Sequence, residues 1–519
     1  MSERLSSLIR PHLKTIKPYS SARSEFSGRA SVFLDANENS YGSPVRGGWH
    51  RYPDPLQKRL RNSLSREFGV PEANMLITNG SDEGIDLLTR ILCAPAEDEI
   101  LVMDPSYGMY EVVAASHNVG IKKVTLAGDF GLDFPAILGA LTNRVKLIYL
   151  CSPNNPTGNS LQRAPIESLL TMFPGIVVVD EAYIDFSSDE SWAASLDKFE
   201  NLVVLRTMSK GWGLAGLRVG AVLAHPYIIE TMSKIKSPYN LSLASAQLAY
   251  KAIANKKRKV ESCTKLVAER QRMTESLGSL SCVAKVYPSE ANYLLVKFDS
   301  AKSAYDKLIS AGIVVRDRSK ETGCEECLRI TVGMPWQNDR VLNALSDVAA
   351  DTDVVTEPRG RTAYIARTTN ETSVTVDLNL DGTGAVHTDT GLGFFDHQLE
   401  LMFVHAGFDA HVLAEGDLEV DEHHTIEDVG ISIGSAIAKA IGDKRGIGRY
   451  SFVLPMDEAS ATVSLDISGR SHLEWNVNFS RDKIGDVPTE LFRHFFWSLC
   501  EHARITLHIS ASGVDNHHI

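Results

Sequence analysis

Short apolar runs that each close in polar residues set the rhythm of the first 350 positions. Residues 145–151 (VKLIYLC) run into SPNNPTG (152–158), residues 176–179 into Asp180, Glu181, Ala182 and Tyr183, and residues 202–205 into Thr207, Met208, Ser209 and Lys210. Continuous β-branched runs separated by helical stretches predict parallel strands buried on both faces, and in such sheets ligands gather beyond the carboxyl ends of the strands. Asn155, Asp180, Tyr183 and Lys210 are therefore expected to meet in one crevice. Strands are also expected at 75–78 and 100–103, with an amphipathic helix opening at Asn79 and running to about Cys93.

From Lys251 the pattern changes to long, charged helical stretches. Strands follow at 283–286, 293–298, 312–316 and 328–332, which read as a smaller α+β domain folding back over the crevice. Residues 347–360 are polar, hold a Pro and a Gly, and read as a linker. Beyond it, SVTVDLNLDGTG alternates as a half-buried strand does, and histidines become dense from His387 onward.

Length bears this out: 519 residues exceed one ordinary domain. The composition, 43% hydrophobic and 23% charged, is that of a globular chain, and a net charge of -12 argues against a nucleic-acid surface. No apolar run reaches the roughly 20 residues that span a bilayer. Seven scattered cysteines indicate a reducing compartment, and the lone C-x-x-C at Cys324 and Cys327 lacks a second pair for a zinc ribbon. The Ser-rich, basic N-terminus merges into KPYSSAR and reads as an arm of the fold rather than a transit peptide, so the cytoplasm is the expected location.

The chemistry concentrates around Lys210. A lysine in a Ser- and Gly-rich bend with Arg218 eight residues on suits an amine that condenses with an aldehyde while a phosphate is clamped nearby. Gly80, Ser81 and Asp82 open a helix whose N–H groups can face an anion. These residues, with KPYSSAR (17–23), LDANEN (34–39), YPDP (52–55), NGSDEGIDLL (79–88), PSYGMY (105–110), SPNNPTG, DEAY (180–183), SK(x)7R (209–218) and CLRITVG (327–333), resemble the fold-type I aminotransferases, and among them the histidinol-phosphate aminotransferases.

The resemblance implies an α/β fold-type I PLP transferase over residues 1–350, with a large domain at about 35–250 and a small α+β domain from 1–34 plus 251–350. It implies pyridoxal 5'-phosphate held as an imine by Lys210, with Asp180 on the ring nitrogen and Asn155 and Tyr183 on the phenolic oxygen. Tyr107 stacks on the ring. Gly80, Ser81, Asp82, Thr207, Ser209 and Arg218 surround the phosphate, joined by Tyr52 from the other subunit of a homodimer. Tyr19 and Arg23 are placed at the substrate entry, Arg329 on the α-carboxylate of glutamate and Arg316 on the phosphate of the second substrate. The implied reaction is transamination from glutamate to imidazole-acetol phosphate in histidine biosynthesis, Lys210 shuttling the Cα proton.

The histidine-rich part carries a spacing of its own. His423 lies 26 residues after His397, and His517 lies 23 after His494, each heading a His-His pair, which reads as an internal duplication. His423 and Glu427 stand i, i+4 at the start of a helix ending near Gly442, so both can bind one ion while His424 points elsewhere. Imidazole and carboxylate without thiolate favour Mn, Fe, Ni or Zn. The motifs RTTNET, TGLGFFDH, GDLEVDEHHTIEDVG, GDKRGIGRY and DISGR resemble imidazoleglycerol-phosphate dehydratase from about Arg361 onward.

That resemblance implies a duplicated α+β domain at 361–519 with di-manganese ligands His397, His423, His424, Glu427, His494, His517 and His518. It also implies Glu371 as acid/base, Arg449 and Arg470 on substrate phosphate, and a higher oligomer. The family's motif continues past His517 and His518 into a Glu and a helix with a phosphate-binding Lys, which the sequence does not include, so an incomplete copy is expected. Two readings follow: a bifunctional enzyme whose dehydratase makes the ketone that the aminotransferase consumes, or an active aminotransferase with a degenerate tail serving as an assembly scaffold. A non-enzymatic metal-binding protein would require the Lys210 constellation to be accidental.

Overall fold

A computed structural model describes residues 3–17, 31–45, 48–346, 361–445, 453–456 and 459–513. The chain divides into two compact units, Met1–Val348 and Ala349–Ile519. No helix among the described residues is long and apolar enough to cross a membrane.

In the first unit the apolar runs form a seven-stranded sheet. Its strands are β1 (Met75–Asn79), β2 (Glu99–Asp104), β3 (Gly120–Thr125), β4 (Val145–Cys151), β5 (Ile176–Asp180), β6 (Leu202–Thr207) and β7 (Val219–Ala224), in the order β1-β7-β6-β5-β4-β2-β3. Strands β4, β5 and β6 are buried nearly throughout, as continuous apolar runs require. The sheet is mixed rather than parallel throughout. β7 runs antiparallel to both β1 and β6, reached from β6 through the Lys210 loop without a crossover helix. Two cores flank it, one on each face.

The N-terminal arm corrects the domain assignment made from sequence. Leu5, Ile9 and Leu13 pack with Ile85, Leu88 and Ile91 in the core of the large sheet, and Arg10 N–H donates to Ile91 O at 3.0 Å. Three apolar side chains at helical spacing needed a covered face, and the helix Gly80–Leu92 supplied it.

The small sheet has the order β10-β11-β9-β8, from β8 (Val283–Val286), β9 (Tyr293–Phe298), β10 (Arg316–Asp317) and β11 (Cys327–Thr331). The strand expected at 312–316 shrinks to the two residues of β10. Gly312 adopts a left-handed φ of 72° to end the helix Ala301–Ser310, and Val314 is left exposed, so the chain reaches β11 only at Arg316.

The second unit is a duplication. β12 (Thr362–Thr368), β13 (Thr372–Asn379), β14 (Val386–Asp389) and β15 (Asp409–Gly416) form a sheet ordered β12-β13-β15-β14. β16 (Val453–Met456), β17 (Ala459–Asp466), β18 (His472–Val477) and the later β21 (Thr506–Ser512) repeat that order as β16-β17-β21-β18, a ribbon of β19 (Lys483–Ile484) and β20 (Val487–Pro488) being inserted. In each sheet the third strand is parallel to the last and the other pairs are antiparallel. Helices His423–Ile441 and Glu490–Ala503 pack closely in the shared core: a Cβ on Gly430 would lie 2.9 Å from Phe495 O.

Candidate active site

The polar stretches that follow β1, β2, β4, β5 and β6 each deliver a side chain to one pocket. It is lined by Ser81, Asp82, Tyr107, Cys151, Asn155, Asp180, Ala182, Tyr183, Thr207, Ser209, Lys210 and Arg218. Neighbouring strands β4, β5 and β6 end level with one another, so residues far apart in sequence converge.

Asp180, the last residue of β5, is 1% exposed. Its Oδ1 accepts from the Ala182 N–H at 3.1 Å and its Oδ2 from the Tyr110 hydroxyl at 2.8 Å. Burial pushes its carboxyl up to about 6, opposed by the Tyr110 and Ala182 bonds and reinforced by the charges of Asp82 and Glu181. Lys210 Nζ lies 5.6 Å from the centre of the Tyr183 ring. Its amine is held below the ordinary lysine value, first by desolvation and then by the cations Arg329 and Arg218. Asn155 donates to the Tyr183 hydroxyl at 3.3 Å and accepts from Arg329 Nη1 at 2.5 Å. The Tyr183 phenol is raised by burial.

At the opposite end lies a cup of donors. Arg218 Nη1 donates to Ser209 Oγ at 3.3 Å and Nη2 to Asp82 Oδ2 at 3.1 Å, while the Tyr107 hydroxyl donates to Asp82 Oδ1 at 3.1 Å. Thr207 Oγ donates to Ser209 Oγ at 3.0 Å. The first turn of the helix Gly80–Leu92 closes the cup, with Gly80 at φ 69° and its N–H donating to Arg218 O at 2.8 Å. A Cβ on Gly80 would sit 2.6 Å from Arg218 Nη2, so glycine keeps room for the guanidinium.

Arg329, on β11, reaches the site from the small sheet with its guanidinium 5.2 Å from the Tyr293 ring. Arg316 is its register partner on β10 and is exposed. Tyr52 lies outside the pocket: it is half exposed and stacks on Tyr239 at 4.6 Å. Tyr19 and Arg23 fall outside the described residues. Sequence reasoning did not single out Tyr110, Cys151 or Ala182. The only signal for Tyr110 was its place one helical turn after Tyr107.

The second unit gathers His423, Glu427 and His494 with ligand atoms within 4.8 Å of one another. Glu427 Oε1 is 3.4 Å from His494 Nε2, a buried nitrogen with no hydrogen-bond partner, and the His423 and His494 rings are 4.5 Å apart. The predicted seven-ligand set does not assemble among the described residues. His424 is turned 89° from His423, and its Nδ1 is held by Asp417 at 3.1 Å, which raises its pKa. His397 is exposed on the helix Gly393–Ala406, Glu371 and Arg470 are exposed on loops, and Arg449, His517 and His518 lie outside the described residues.

A mixed sheet with a lysine, a buried aspartate, an amide and a phenol around one pocket defines a fold-type I pyridoxal-phosphate enzyme. The residues fit that cofactor: a buried acid for the ring nitrogen, a depressed amine, and a cup of hydroxyls, arginine and helix N–H groups for a phosphate. A sequence model described as aminotransferase class I and II matches residues 35–345, and the chain belongs to that family. It is 46% identical over 344 residues to a histidinol-phosphate aminotransferase of Parabacteroides distasonis, covering 66% of this chain and 99% of that protein. A histidinol-phosphate aminotransferase of Cytophaga hutchinsonii is 45% identical, with 66% of this chain and 99% of the relative covered.

Among solved structures, histidinol-phosphate aminotransferase from Sinorhizobium meliloti in complex with pyridoxal-5'-phosphate superposes with a TM-score of 0.53 at 26% identity, covering 60% of this chain and 88% of that one. Residues 390–519 match the family described as imidazoleglycerol-phosphate dehydratase. At the triad of His423, Glu427 and His494, two imidazoles and a carboxylate with an unpartnered buried nitrogen suit a divalent ion.

Proposed function

We propose that the first unit transfers the amino group of glutamate to imidazole-acetol phosphate, giving L-histidinol phosphate and 2-oxoglutarate in histidine biosynthesis. The observation that carries it is the convergence of Asp180, Lys210, Asn155, Tyr183 and Arg329 on one crevice, together with the activity named for relatives matched over nearly their whole length. Pyridoxal phosphate, when bound, supplies the electron sink that acidifies the amino acid's Cα–H bond. Asp180, the buried acid, would serve the ring nitrogen, and Asn155 and Tyr183 would serve the phenolic oxygen. Gly80, Ser81, Asp82, Thr207, Ser209 and Arg218 surround the phosphate, with Tyr107 on the ring face. Lys210, its amine held below the ordinary lysine value first by burial and then by Arg329 and Arg218, would be the nucleophile and then the Cα proton carrier.

Arg329 offers a two-pronged guanidinium to the donor's α-carboxylate, Arg316 would take the acceptor's phosphate end, and Tyr19 would serve at the substrate entry. Tyr52, turned out of its own pocket, suits the cofactor phosphate of a second copy, which makes the working form a homodimer. The free cysteines and the absence of a membrane-crossing helix among the described residues fit a cytoplasmic enzyme.

For the second unit we propose Mn-dependent dehydration of imidazoleglycerol phosphate to the ketone used by the first. His423, Glu427 and His494 would hold one ion, Glu371 would move the proton, Arg449 and Arg470 would take the phosphate, and His397, His424, His517 and His518 would complete the metal set in an oligomer. The second reading keeps an active aminotransferase with the tail as an assembly scaffold. The test is one pair of assays. Glutamate plus imidazole-acetol phosphate should give histidinol phosphate with the full chain and none with Lys210→Ala. Product with Lys210→Ala would refute the assignment, and Mn-dependent loss of water from imidazoleglycerol phosphate separates dehydratase from scaffold.

A further inference from the structure

We propose that Tyr110 is a positioning residue of the cofactor site: its phenol fixes the Asp180 carboxylate so that the free lone pairs of the acid point at the cofactor's ring nitrogen. The inference rests on the pyridoxal-phosphate part of the reading above and is independent of which keto acid accepts the amine.

A buried carboxylate needs donors to stay ionised. Among the described residues Asp180 has no ion-pair contact; Asp82 and Glu181, both acids, push it up, and Lys210 is a cation whose charge couples to it. The hydrogen bonds that favour its ionised form come from two neutral donors, the Ala182 N–H at 3.1 Å and the Tyr110 hydroxyl at 2.8 Å. The backbone bond follows from the turn after β5. The phenol comes from a separate element, the first turn of the helix Met109–Ser116, 70 positions away in sequence.

Three features make that phenol a fixed donor. Tyr110 is 1% exposed. Its ring lies stacked on Tyr149 at 4.6 Å and 11°, and edge-on to Tyr107 at 5.6 Å and 87°. Burial and the Asp180 charge hold its hydroxyl far above the ordinary phenol value, so the proton stays on Tyr110 at every working pH. Tyr107 lines the pocket and Tyr110 does not, so Tyr110 acts through Asp180 rather than on the cofactor.

The test uses the full chain as wild type, Tyr110→Phe, Tyr149→Phe, Asp180→Asn and Asp180→Asn/Tyr110→Phe, freed of cofactor and titrated with pyridoxal phosphate. Removing a donor to a charged group weakens binding about tenfold or more. Tyr110→Phe should therefore raise the cofactor's dissociation constant by about that factor. The pH at which the bound cofactor's absorbance is half lost on acidification should move up by about one unit. Tyr149→Phe, which removes a hydroxyl from the same stack without touching Asp180, should match wild type.

In the Asp180→Asn background the Tyr110→Phe change should add little, whereas a packing defect would add in full and keep the test decisive if the single variant is unstable. Unchanged affinity and pH midpoint in Tyr110→Phe, or an equal loss in Tyr149→Phe, would overturn the inference. A wild-type chain that takes up no cofactor would overturn the reading beneath it.

Discussion

Asp180 carries an electrostatic tension within the pocket. Its carboxyl ionises at about 6 in the folded chain against an ordinary 3.8. Because the folded value is the higher, its contribution to stability is complete below the unfolded value and is lost as pH rises through about 6. A rise of that size is worth about 3 kcal/mol. Without cofactor the protein should thus lose stability between about pH 4 and pH 7. Asp180→Asn, which keeps one of the two accepted bonds, should flatten that fall, as calorimetry at a series of pH values would read. A fall as steep in the variant would mean that the burial cost lies elsewhere. Asp180 was legible in the sequence because a polar stretch that closes a wholly apolar strand must lie beyond the strand's carboxyl end, where ligands gather. Tyr110 was not, since a tyrosine on a helix reads as core until a partner from another element is seen beside it.

Among elements, β7 positions the cup of donors around Arg218 and Ser209. It follows the Lys210 loop directly, turning at Arg218 through a left-handed φ of 53°, and runs back against β1. A Cβ on Gly220 would meet Gly80 C at 2.5 Å and Ser81 N at 2.6 Å, so glycine lets β7 lie against the first turn of the helix Gly80–Leu92. Gly220→Ala should push that turn away, costing about 1–3 kcal/mol of stability. Pyridoxal-phosphate affinity should fall more than the affinity for the amino donor. Equal losses in both, read by cofactor titration and by the donor's KM, would show that the strand does not set the cup. Strands β4, β5 and β6 were legible from their continuous apolar runs. The direction of β7 was not, because an antiparallel return and a parallel one present the same apolar run. β3 (GIKKVT) is an edge strand half solvated along its length, with too few apolar residues to stand out.

As a whole the chain is two units, and the change from strand-helix alternation to a histidine-dense duplicated pattern marked the boundary in the sequence. The two aminotransferase relatives match 344 and 345 residues of this chain and are themselves covered to 99%, so a stretch about as long as the first unit corresponds to nearly whole proteins elsewhere. The triad was legible in part, since helical spacing pairs His423 with Glu427. That His494 is the third member follows from the packing of two helices, which no spacing along one helix can give. The central claim is that the Lys210 pocket exchanges amino groups with a phosphorylated imidazole amino alcohol. The direct measurement mixes the cofactor-loaded full chain, without keto acid, with glutamate, L-histidinol phosphate or unphosphorylated L-histidinol at equal concentration and follows the absorbance of the Lys210-bound cofactor. Glutamate and histidinol phosphate should each bleach it stoichiometrically, and histidinol at least tenfold less at subsaturating concentration. Bleaching by glutamate alone, with histidinol phosphate inert, would contradict that claim.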